Sequence, residues 1–104
     1  MTTFDDREKA FEDKYKHDQE LQFRVEVRRN KLLGLWAAEL LGKSDAQAYA
    51  SEVISADFEE PGDADLVRKI LGDMQDAGVE MSEHRLRKQM EECLAKAKEQ
   101  VMRE

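Results

Sequence analysis

The side chains able to do chemistry are few and scattered. His17 and His84 are the two histidines, both in charged surroundings, and neither has a second ligand at metal-binding spacing. Cys93 is the single cysteine. It falls within an apolar helical stripe, which reads as a buried structural thiol rather than a nucleophile. No glycine-rich turn follows a strand pattern, so no phosphate cradle is in view. Carboxylates abound, with 24 Asp and Glu residues, but on an acidic helical chain they read as solvating charges. These residues predict no enzyme, no metal and no required cofactor. The sharpest charge feature is basic: Arg24, Arg28, Arg29 and Lys31, opposed by Glu26, give a net +3 over eight residues of an acidic chain. Two readings stay open for it. One is a solvated face paired with acidic neighbours; the other is a contact for a phosphate or an acidic partner surface.

The elements that must position these residues are helical throughout. The stretch Arg24–Gly42 carries the single Trp and one of the densest apolar runs. At about 100° per residue, Leu35, Leu21, Leu32, Val25, Trp36, Leu40 and Leu33 fall within an arc of roughly 160°. That arc requires partner helices. Phe23 and Val27 project away from it, either over other helices or towards a partner. Gly42 is a natural helix stop, and Ser44-Asp-Ala-Gln47 reads as a capping box opening a second helix. Tyr49, Val53, Ala46, Ala50 and Ile54 form the buried face of that helix. It ends near Phe58, before the Glu59-Glu60-Pro61-Gly62 turn. Asp63 is the predicted cap of a third helix, buried through Leu66, Val67, Ile70, Leu71 and Met74. Gly78 stops it. Ser82 caps a fourth, whose stripe is Leu86, Met90, Cys93, Leu94, Ala97 and Val101.

The N-terminal segment differs. Thr2 or Thr3 can cap a helix there, with Asp5 and Asp6 in its positive first turn. Over Phe4–Asp18 charges fill most positions, and only Phe4, Phe11 and Tyr15 form a narrow aromatic line. Three rings over nearly five turns bury little area, and an isolated helix of that length is marginal. The segment therefore reads either as a frayed terminus without a role or as an arm that folds into a groove on another protein. The expectation is an all-α fold: a small four-helix bundle with a mobile or frayed helical arm. The arm spans about 1–19 and the bundle 20–104, with helices near 20–42, 45–58, 64–77 and 83–102 joined antiparallel by short turns.

The whole chain sets the remaining bounds. It has 104 residues, 40% hydrophobic and 39% charged, with a net charge of −7. The net charge argues against general nucleic-acid binding and fits a soluble protein that stays monomeric or meets a partly basic partner. No run approaches the ~20 apolar residues of a membrane span. The opening MTTFDDREKAF has no signal-type apolar region, so the expected location is cytoplasmic.

Three stretches carry a resemblance. FDDRE at Phe4–Glu8, RRNKLLGLWAAELLGK at Arg28–Lys43 and DFEEPGD at Asp57–Asp63 resemble the zeta-type inhibitor subunit of alphaproteobacterial F1Fo ATP synthase, in order and spacing over nearly the whole chain. The resemblance implies a four-helix bundle whose N-terminal arm becomes helical and wedges into a catalytic α/β interface of F1, towards the γ shaft. There it blocks rotation in the hydrolysis direction and spares synthesis. Carried over, the partner-binding arm is Thr2 to about Asp18, with Phe4, Asp5, Asp6, Arg7, Phe11 and Tyr15 as its contact residues. Phe4, Arg7, Phe11 and Tyr15 are its anchors, because aromatics and Arg dominate interface energetics. The implied partners are the F1 α, β and γ subunits, with the protein peripheral to the inner membrane through F1. Some relatives bind adenine nucleotide weakly; here ATP or ADP would meet Arg24, Arg28 and Arg29. The alternative function is a nucleotide-responsive or scaffolding bundle that binds through the Arg24–Lys31 face.

Overall fold

Four helices, α1 (Thr3–Leu41), α2 (Ala46–Asp57), α3 (Ala64–Asp76) and α4 (Glu83–Arg103), follow one another with short connections. This computed structural model describes residues 3–58 and 62–104, with side chains from Asp18 onward. The fold is all-α. The arm residues Phe4, Asp5, Asp6, Arg7, Phe11 and Tyr15, together with His17, have their side chains outside the described residues, as does any cap at Thr2.

α1 is the longest element. Its backbone is helical for 39 residues without interruption, about 58 Å at 1.5 Å per residue. α4, with 21 residues, is about 32 Å long, and α2 and α3 are shorter. Neighbouring helices alternate in direction: Asn30 meets Asp57 and Gly34 meets Ala50 across α1 and α2. Tyr49 meets Asp73 across α2 and α3. Near the start of α1's packed half, Arg24 and Arg28 bond Glu104, just past the end of α4. The first six turns of α1 precede Arg24.

The deepest face of α1 is not the large-residue arc that periodicity selects. Asn30, Leu33, Gly34, Ala37 and Ala38 are buried, whereas Leu21, Val25, Leu32, Leu35 and Trp36 are half-buried and Leu40 is exposed. The two faces share only Leu33 and lie on nearly opposite sides of the helix. The reason is close approach. A Cβ on Gly34 would stand 2.6 Å from the Cα of Ala50 and 3.3 Å from the Cβ of Val53, so α2 rests almost backbone to backbone on α1. Only small residues fit there, and the larger ones pack around the edges, with Leu32, Trp36 and Leu41 flanking the core.

The other stripes lie close to their predicted positions. Tyr49, Ala50 and Val53 of α2, Leu66, Val67, Ile70 and Met74 of α3, and Leu86, Met90, Cys93, Ala97 and Val101 of α4 are buried. Gly42 and Gly78 adopt positive φ, 71° and 73°. Behind each, the next residue's amide reaches back to the helix: Lys43 N–H to the Ala38 carbonyl, and Val79 N–H to that of Met74. Both are the six-to-one bond of a glycine-terminated helix.

Two caps differ from expectation. α2 is capped by Asp45, whose carboxylate accepts from the Ala48 N–H at 3.0 Å; Ser44 lies one residue outside. Asp63 occupies the N-cap position of α3 but makes no side-chain capping bond, because Arg29 takes its carboxylate. Ser82 caps α4 through the Arg85 N–H.

Candidate functional site

The basic cluster of α1 divides in two. Arg24 and Arg28 point along the outer side to Glu104, and Arg28 also donates to Gln100 at 2.9 Å. Arg28 beside Glu104 holds that carboxyl below its usual range, helped by Arg24. Arg29 turns inward and is 8% exposed. Its Nη2 and Nη1 donate to the two carboxylate oxygens of Asp63 at 3.0 and 3.4 Å, a forked geometry suited to guanidinium. Nη2 also stands 3.7 Å from Asp57 Oδ2. The three guanidinium groups therefore do not converge on one anion-sized spot. Phe23, beside them, stacks on Phe58 with ring centroids 5.7 Å apart, and both rings are more than half exposed.

Around Arg29 lies a polar network that periodicity alone overlooks. Asn30, fully buried, accepts from Arg29 Nε at 3.0 Å and donates to Asp57 Oδ2 at 2.8 Å. Asp57 is itself buried, and its Oδ1 has no hydrogen-bond partner. Glu26, one turn before Arg29, completes a group of three carboxylates with Asp57 and Asp63. The hydrogen bond that a protonated Glu26 makes to Asp57, then partial burial and the charge of Asp57, push the Glu26 carboxyl above its ordinary 4.5. The signal was present in the sequence: Asp57 continues the Tyr49–Val53 stripe by one turn, and Asn30 falls one turn before Leu33 and Gly34.

The remaining reactive types are structural. Cys93 is buried and free of any disulfide, and burial pushes its thiol up, away from the thiolate. Tyr49 donates its hydroxyl to Asp73 at 2.8 Å, Lys69 reaches the same carboxylate at 3.1 Å, and Lys43 and Lys69 sit over the Tyr49 ring. Burial and the Asp73 bond push the phenol up. His84 is exposed. A hollow of 780 Å³ lies at the α3–α4 turn between Leu71, Val79, Met81 and Arg85. It gathers no acid–base pair of the kind catalysis needs. Among the described residues, no helix is long and apolar enough to cross a membrane.

Comparison with known proteins decides what such a bundle is. The family model for ATPase inhibitor subunit zeta matches residues 1–100. The chain belongs to the ATPase inhibitor subunit zeta family. The match begins at the first residue, so it includes residues 1–19. A protein solved by solution NMR is similar in fold, with a TM-score of 0.70 and 51% identity over 79% of this chain and 95% of its own. The search among curated proteins returned no match.

Proposed function

We propose that this zeta-family chain is a regulatory, non-catalytic inhibitor of the F1 motor, and that it works by inserting its N-terminal helix into a catalytic α/β interface. The family match over residues 1–100 carries this reading. Two physical features support it. Residues 20–104 hold a core drawn from all four helices, as a bundle that folds without residues 1–19 requires. Before Phe23, α1 runs on for about five and a half turns with only Phe4, Phe11 and Tyr15 as large aromatics, a composition suited to packing gained from a partner. The contact set is Phe4, Asp5, Asp6, Arg7, Phe11 and Tyr15, with the γ subunit at the tip. The free protein is a monomer, and its place is cytoplasmic, against the membrane only through F1.

Inhibition of ATP hydrolysis by purified F1 from the same cell tests the reading. Phe11→Ala combined with Tyr15→Ala weakens inhibition by about 30-fold or more, the loss expected for interface anchors worth about 2 kcal/mol, while Tm stays unchanged. Inhibition equal to that of the unaltered chain contradicts the anchor assignment.

A further inference from the structure

We propose that Glu26, Asp57 and Asp63 form a divalent-cation site where α1, α2 and α3 meet. One carboxylate comes from α1, one from the last turn of α2 and one from the N-cap of α3. One oxygen from each lies within 4.8 Å of the others. Three oxygens within 4.8 Å of one another share a centre at most about 2.8 Å from each, close to the roughly 2.3–2.6 Å of Ca²⁺–oxygen bonds. Mg²⁺, with bonds near about 2.1 Å and a stricter octahedral geometry, suits such a set less well.

An acidic cluster alone would not point to a ligand. The second observation is Asp57. Its side chain is 1% exposed, yet Oδ1 has no partner, and a buried carboxylate oxygen left bare is strongly disfavoured. The neighbouring cation does not satisfy it. Arg29 is engaged with both oxygens of Asp63 and with Asn30, and approaches Asp57 only through Oδ2. Three ionised carboxylates and one guanidinium leave a surplus of two negative charges, which a divalent ion cancels. The groups facing the site from α4 do not. Lys98 borders Glu26 and Arg29, and Arg87 and Glu91 border Asp63, but Arg87 pairs with Glu83 at 3.8 Å. Among the described residues, Arg29 is the one cation within 4 Å of Asp57 or Asp63. Glu26 is exposed, so an ion reaches the site from solvent and keeps water on its outer side. Three protein oxygens make a weak site, with a Kd on the order of a millimolar.

The inference stands apart from the inhibitor reading, and its test needs no ATP synthase. The full chain at pH 7 is melted in 10 mM CaCl2, in 10 mM MgCl2 and in NaCl of equal ionic strength. Calcium raises Tm by about 5 °C over the NaCl control, magnesium by less, and amide shifts cluster at Glu26, Asp57 and Asp63. E26Q, altered at an exposed position that leaves the fold intact, loses the calcium response. A rise no larger than with NaCl, or an equal response in E26Q, overturns the proposal. So does a Glu26 carboxyl carbon shift marking it protonated at pH 7, because a proton shared with Asp57 would then satisfy Oδ1 without metal.

Discussion

Arg29 and its carboxylate partners are the residues on which the bundle's polar interior depends. Replacing one member of a buried ion pair leaves the other charged and bare, a loss of about 3–5 kcal/mol. Arg29→Leu strands Asp57 in this way, and urea unfolding should show a loss of that order. Arg24, whose side chain is 52% exposed against Glu104, is the contrast: Arg24→Ala should change stability by less than about 1 kcal/mol. Glu26 supplies a pH signature. Its pKa is raised in the folded protein. Between 4.5 and that raised value the folded state holds a proton that the unfolded chain has released, so stability falls as pH rises through this window and is level above it. Glu26→Gln removes that slope. The Tm of the variant relative to the unaltered chain should therefore climb between pH 4 and 7. A constant difference across the range would place Glu26 outside the network.

At the scale of the helices, the crossing of α1 on α2 is set by Gly34. Gly34→Ala gains about 1 kcal/mol of helix propensity. It also drives a Cβ to 2.6 Å from the Ala50 Cα, and backbone on the far side cannot yield as a flexible side chain would. We expect a net loss of about 1–2 kcal/mol and a Tm lower by about 5–10 °C in thermal unfolding; a rise would mean that the helices separate freely. The same crossing explains what the sequence made legible. Glycine stops at Gly42 and Gly78, the Ser82 cap and the stripes of α2, α3 and α4 follow from local chemistry and 3.6-residue periodicity. The α1 face does not, because hydropathy favours Leu and Trp, whereas the crossing selects for smallness at Gly34, Ala37 and Ala38. Asp63 was readable as a cap by position, but its carboxylate answers to Arg29, 34 residues away. Long-range partners of that kind leave no trace in local spacing. Of the candidate site, the basic cluster was visible, and its division into outward Arg24 and Arg28 and inward Arg29 was not.

For the whole molecule, the account joins a bundle that folds on its own core to a leading helix that acts on another protein. Among the described residues the core runs from Leu33 to Val101, and we expect it to fold without residues 2–18. The most direct measurement is the rate of ATP hydrolysis by purified F1 titrated with the full chain and with the chain lacking residues 2–18. The full chain should inhibit, and the truncated chain should not, while its circular dichroism and cooperative melting remain those of a folded bundle. Full inhibition by the folded truncation would contradict the central claim.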